Sequence, residues 1–304
     1  MNDKLRKLIR VFIILIGIGI LVYPSLSQFL TEQNASRAVS SYDDTVKKTE
    51  DARLDALLEE AREYNRLLAS STGLEKPPVD ANGDPITPDS YGHMLNLGGD
   101  GMMGYITIPK LNVTARILHG TEESALQVGI GHLQNTSLPV GGETTHSVLS
   151  GHRGLPTADL FTDLDQLTEG DVFYIKVLNH TLCYTVDQIL TVLPDETEEL
   201  RIQEGKDYVT LVTCTPYGVN SHRLLVRGVR TPFDDSQEIP VYEVVDMSSF
   251  WSRLPAQYRH MLYGAAAIVA FLIIYWIIIL IRKKIKKRSN PENGEDHENG
   301  EKTE

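Results

Sequence analysis

Cys214 closes the run Thr210-Leu211-Val212-Thr213-Cys214, and nine positions later Arg223 opens Arg223-Leu224-Leu225-Val226-Arg227-Gly228. Between them Thr215-Pro216-Tyr217-Gly218-Val219-Asn220 is rich in turn residues, so the segment reads as strand, loop, strand. If the two strands pair antiparallel, the end of the first and the start of the second share one edge, and Cys214 and Arg223 become neighbours across the loop mouth. The thiolate is the attacking form of cysteine. A guanidinium beside it can orient a carbonyl and stabilise charge developing on its oxygen.

A nucleophilic cysteine also needs a proton donor and acceptor. Of the nine histidines, His119, His132, His146, His152 and His222 fall near strand ends, and periodicity alone does not choose among them. His152 is the best placed, because Ser147-Val148-Leu149-Ser150 reads as a strand running into Gly151-His152-Arg153-Gly154. There glycines let the chain turn at a rim, and loops at strand ends are where catalytic side chains collect. His222 alternates to the face opposite Arg223 and reads as structural. The second cysteine, Cys183, lies across its strand from the face of Leu182, Tyr184 and Val186 and reads as dispensable. A single bridge between the two cysteines stays open, although secreted domains that depend on disulfides carry more. No tight ligand spacing of the zinc type occurs, so neither metal nor other cofactor is expected.

The elements that must hold these residues are short and β-rich. Tyr105-Ile106-Thr107-Ile108, Ser147 to Leu149, Val172 to Leu178, Leu182 to Val192, Tyr208 to Cys214 and Arg223 to Val229 read as strands. Their close spacing predicts a mainly β domain, barrel or sandwich, over 101–232, with barrel the preferred form. Pro156 to Leu167 has helical spacing in Leu160, Leu164 and Leu167 and predicts one short helix. Upstream, Ser36 to Leu68 carries apolar residues at intervals of three and four, which predicts an amphipathic helix in an extension over 31–100. Ser70 to Ser90, with Pro77, Pro78, Pro85 and Pro88, predicts a long loop.

Both ends carry apolar stretches. Met261 to Ile281 is long enough to cross a hydrocarbon layer of about 30 Å and predicts a transmembrane helix. The basic run Arg282 to Arg288 behind it, in a cytoplasmic tail over 282–304, holds that end inside, and 233–260 is a linker. Residues 1–30 combine Lys4, Arg6, Lys7 and Arg10 with the apolar run Val11 to Val22, which reads as a signal or, in the preferred reading, an uncleaved anchor. Either way the middle of the chain is expected outside the plasma membrane. The whole chain has 29 basic and 41 acidic residues. Setting aside the two ends, with 11 basic and 7 acidic residues, leaves 18 against 34, a charge of about −16. Such a surface repels phosphate backbones, and nucleic acid is not an expected partner.

With these residues in place, the chain resembles the sortases. Thr210 to Cys214, Arg223, and Ser150-Gly151-His152-Arg153-Gly154 are similar to that family's signatures. Gly104 to Lys110, Ser137-Leu138-Pro139-Val140-Gly141-Gly142 and Thr213 to Asn220 resemble the pilin-specific class, class C, over roughly residues 100 to 232. The resemblance implies a sortase-like β-barrel in which Cys214 is the nucleophile, His152 the acid and base, and Arg223 the group that orients substrate and stabilises the oxyanion. It further implies a Leu-Pro-x-Thr-Gly-like C-terminal sorting signal as substrate, a thioacyl intermediate, and pilin subunits as partners, joined through a lysine amine. Members of the class carry a lid with an Asp-Pro-aromatic motif. Here Asp84-Pro85-Ile86 occupies that region, with Ile86 in place of the ring. Two rival functions remain: a secreted thiol hydrolase acting on peptide or wall bonds, and a non-catalytic surface-binding β-domain.

Overall fold

The computed structural model describes residues 3–70, 85–155 and 158–233, together with Tyr263, Gly264, Tyr275 and Arg282. The chain forms two units, Met1–Val245 and Asp246–Glu304, and the expected transmembrane segment 261–281 lies almost wholly outside the described residues.

The first unit is built on eight strands: β1 (Met102–Ile108), β2 (Val113–His119), β3 (Ile130–His132), β4 (Thr145–Ser150), β5 (Val172–Val177), β6 (His180–Val192), β7 (Asp207–Thr215) and β8 (His222–Thr231). They close into a barrel in the order β1-β2-β3-β4-β7-β8-β6-β5, which leaves no unpaired sheet edge. Pairing is antiparallel except at β2–β3 and β4–β7, which run parallel.

Alternation along the strands sorts the side chains into two layers. Leu149, Val209, Leu211, Leu224 and Val226 join the central core inside the barrel. Val148, Val212 and Leu225 point the other way and form a smaller apolar cluster with Leu200, packed by Leu133, Leu190 and Val192. Every residue of β1 is buried, because its outward face is covered as well. Tyr42 of helix α1 (Asp3–Lys48) donates to Met103 O at 2.9 Å, accepts from Leu178 N at 2.7 Å, and packs edge-on against Tyr105. Helix α2 (Asp51–Ser70) turns Leu54, Leu58, Ala61, Tyr64 and Leu68 inward, and its buried Asn65 clamps Leu138 through both backbone groups, at 2.7 and 3.1 Å.

Three expectations change. The helix foreseen over Ser36 to Leu68 is two, because Thr49 N turns back to Val46 O and Glu50 O begins a new set of bonds to Arg53 and Leu54. The foreseen loop ends in helix α3 (Pro88–His93): Pro88 starts it, as its fixed φ and missing N–H allow, and Thr87 caps it. The helix foreseen over Pro156 to Leu167 appears, among the described residues, only as a 3₁₀ turn at Leu164–Gln166. Phe161 N donates to His152 O and Leu160 takes a positive φ of 34°, so regular helical bonding cannot propagate there.

No single described helix is long and apolar enough to cross a membrane. Two stretches of α1, Ile9–Pro24 and Leu26–Lys48, pass that test together with a 43° bend between them, next to the proline inside the helix.

Candidate active site

Two features of the topology bring distant residues to one rim. Strands β4 and β7 are parallel neighbours, paired from Thr145–Asp207 to Ser150–Val212, so their carboxyl ends emerge together. The pairing continues past the strand, with Gly151 N donating to Val212 O at 3.0 Å and Thr213 Oγ1 donating to Gly151 O at 2.8 Å. One more step carries His152 to the level of Cys214. Strand β8 runs antiparallel to β7, so it begins where β7 ends, and the register sets Cys214 directly opposite Arg223. Counting outward from Val212 and Leu225, Cys214 and Arg223 share the outer face that carries the smaller apolar cluster.

Cys214 is half-buried and free, as is the more deeply buried Cys183, so the bridge left open by the sequence is absent. Burial pushes the Cys183 thiol up, which disfavours its thiolate. Arg223 donates through NH1 to His222 O at 3.1 Å and Asn220 O at 3.3 Å. These bonds fix the guanidinium to its own loop and leave the Nε and NH2 donors uncommitted among the described residues.

The histidines separate by what their rings already do. His132 is fully buried between Tyr91 Oη at 2.7 Å and Ser137 O at 2.9 Å, and burial pulls its pKa down to about 4. His146 lies between Arg201 O at 3.0 Å and Thr210 Oγ1 at 2.7 Å, with its pKa likewise pulled down by burial to about 4. The ring nitrogens of His119 sit 2.9 and 2.7 Å from the carbonyls of Gly101 and Met94, and His222 Nδ1 lies 2.9 Å from Ser221 Oγ. His152 differs. Its Nε2 is shielded from solvent, lies 3.4 Å from Glu123 Oε2 in helix α4 (Glu123–Leu126), and makes no proper hydrogen bond among the described residues. Glu123 is held below the usual carboxylate range chiefly by Gln127, with the His152 ring adding to the effect.

The rim loop is packed from both sides. A Cβ on Gly151 would stand 2.7 Å from the Phe161 ring and 2.8 Å from Ile130, so only glycine fits there. Arg153, part of the sequence motif but assigned no role from it, has a side chain 9% exposed that bonds two other segments, the turn carrying Thr162 and Asp165 and the end of β7 at Thr215. Nothing in its spacing reveals those partners. Of the expected lid, Asp84 lies outside the described residues, Pro85 is exposed, and Ile86 is partly buried against the central core. Tyr217 and Val219, at 61% and 68% exposure, leave the β7–β8 loop with apolar side chains open to solvent.

Comparison with known proteins identifies the family. Residues 106–231 match the family model described as the sortase domain. Sortase C1 from Streptococcus agalactiae is 48% identical, with a TM-score of 0.60 over 66% of this chain and 100% of that one. The sortase C of Clostridium perfringens, solved with the C-terminal cell wall sorting motif, is 44% identical with a TM-score of 0.57, covering 66% of this chain and 100% of its own. Sortase D of Bacillus subtilis is 29% identical over 130 residues, and the matched stretch spans 63% of that relative's length. The chain belongs to the sortase family, and the solved structures it resembles are class C sortases.

Proposed function

We propose that this protein is a cysteine transpeptidase that cleaves an LPxTG-like C-terminal sorting signal and joins the released carboxyl group to a lysine amine of a pilin subunit. The observation that carries this reading is the backbone register of the β4–β7 and β7–β8 pairings, which brings the chain at Cys214, His152 and Arg223 to one rim. The relative solved with a cell wall sorting motif, and the Streptococcus pneumoniae sortase C described for its pilin substrate specificity, support the substrate class.

In this reading the Cys214 thiolate attacks the threonine carbonyl of the signal, and the carbonyl electrons move onto oxygen. Arg223 donates hydrogen bonds toward that oxygen, from a guanidinium already oriented by its loop. Collapse of the adduct breaks the peptide bond, and His152 in its imidazolium form gives the departing glycine amine its proton. A thioester remains. The lysine amine then attacks it, His152 takes the proton, and the Cys214 thiolate leaves as the amide forms. The partly exposed Leu133, Leu190, Val192 and Val212, packed against the smaller apolar cluster, offer a surface for the signal's leucine and proline. The lid segment enters no step. The bent, apolar start of α1 and the segment 261–281 are read as membrane anchors that hold the barrel outside the cell.

The test is direct. The purified full chain, given a sorting-signal peptide and a primary amine, should produce a ligated peptide and a thioester adduct on Cys214 visible by mass spectrometry. Cys214→Ala should abolish both. Hydrolysed peptide without ligation would favour the secreted hydrolase, and unchanged function in Cys214→Ala would favour the non-catalytic binding domain.

A further inference from the structure

Arginine is almost never fully buried unless paired, and at 9% exposure Arg153 is deeply committed to its partners. Its Nε donates to Thr162 O at 3.2 Å, its NH1 donates to Thr215 Oγ1 at 2.9 Å, and its NH2 pairs with Asp165. One planar fork thus ties its own rim loop to the turn over residues 159–166 and to the last residue of β7. The sequence positions give this bond its meaning. Arg153 follows His152, and Thr215 follows Cys214. The Arg153–Thr215 bond therefore spans the two candidate catalytic residues at one residue's remove on each side.

Close packing lies beside this bond. Gly154 has φ +77°, a Cβ there would stand 2.6 Å from the Tyr217 ring, and its N–H donates to Thr162 Oγ1 at 3.0 Å. The histidine loop and the cysteine loop are thus in contact at two successive positions. No hydrogen bond to Nε2 holds the His152 ring among the described residues, its charged neighbour there being Glu123 at 3.4 Å. Its place relative to Cys214 must come from the backbone on either side of it. Proton transfer is demanding in this respect, as a displacement of about 1 Å costs about a hundredfold in rate.

We propose that Arg153 is a positioning residue that sets the distance and orientation between His152 and Cys214 by clamping Thr215. The assignment rests on the transpeptidase reading for its kinetic consequence, and on geometry for the clamp. A lysine cannot replace it, because one ammonium does not reproduce three donors in a fixed plane. Asp165, half exposed, supports the far end of the fork and matters less.

The experiment compares Arg153→Met, Arg153→Lys, Thr215→Val and Asp165→Asn in the full chain. Each is assayed for kcat and KM with a sorting-signal peptide and an amine, for the rate of Cys214 alkylation by iodoacetamide at pH 7, and for melting temperature. Arg153→Met and Thr215→Val should each lower kcat at least about tenfold with KM within about twofold, and should slow alkylation. Arg153→Lys should not restore the rate, and Asp165→Asn should stay within about threefold of wild type. Thr215→Val removes only the acceptor, so it decides the matter if Arg153→Met fails to fold. Wild-type kcat and alkylation in folded Thr215→Val would overturn the clamp, as would full rescue by lysine. A wild-type chain that forms no thioester would instead sink the transpeptidase reading, while the alkylation comparison still judges the clamp.

Discussion

Strand β7 begins at Asp207 and ends at Thr215, and its two ends follow opposite plans. At the first end Asp207 is mostly buried, which pushes its carboxyl up, yet it accepts from Gly142 N and Tyr184 Oη, each at 2.9 Å, and faces Arg230. Thr145 Oγ1 adds a bond to Gly142 O at 2.7 Å. The polar groups named here bond one another and tie the loop before β4 to β6 and β7. At the second end Cys214 is half open and, among the described residues, His152 Nε2 has no hydrogen bond and Arg223 uses one of its three nitrogens. The contrast teaches that unspent hydrogen-bonding capacity, more than the identity of a residue, separates a reactive rim from a structural one.

The sharpest way to break this comparison is to remove a group from the unspent end. His152→Ala should cut ligation by about 10² to 10⁴-fold, while the melting temperature stays where it was. A large loss of stability with modest loss of rate would make the rim structural too.

The next effect concerns the spent histidines. His132 and His146 have folded pKa values of about 4, below the ordinary value near 6.5, so the unfolded chain takes up protons that the folded chain refuses. Their contribution is fully present above about pH 6.5 and is lost as the pH falls toward 4, by up to about 3 kcal/mol each. Asp159 and Asp207, whose carboxyls burial pushes up, work in the opposite sense at the acid end of that window. Denaturant midpoints measured from pH 7 to pH 4 should fall accordingly, and a flat profile would show that these rings are not excluded from protonation.

The smallest effect sharpens the closed end. Tyr184→Phe deletes one donor to Asp207 and should cost about 1 to 3 kcal/mol of stability with kcat unchanged within about twofold.

Much of this was legible in the sequence for a physical reason. Strands β1 and β4 to β8 are runs of β-branched and apolar residues long enough to show a pattern. Strand β3 has only Ile130, Gly131 and His132, and β2 carries Arg116 and His119 among its seven residues, so neither shows a clear period. Helix α3 was hidden because a proline that usually breaks structure here begins it. The Cys214–Arg223 pairing could be read because a hairpin is a local feature. The step from His152 to Cys214 could not, since it depends on a parallel pairing between strands far apart in the chain. Arg153 was invisible for the same reason, as its partners Thr162 and Asp165 lie on a turn that the sequence presented as a helix.

That parallel pairing also governs when the thiol can work during biogenesis. Residues 151–206 must emerge before β7 can settle against β4, and β8 must follow before Arg223 arrives. Contacts so distant along the chain form late. A nascent molecule therefore presents Cys214 before the pairings that set it level with His152 and opposite Arg223 are in place, and on the transpeptidase reading proposed above the centre is complete only once nearly all of the barrel has folded.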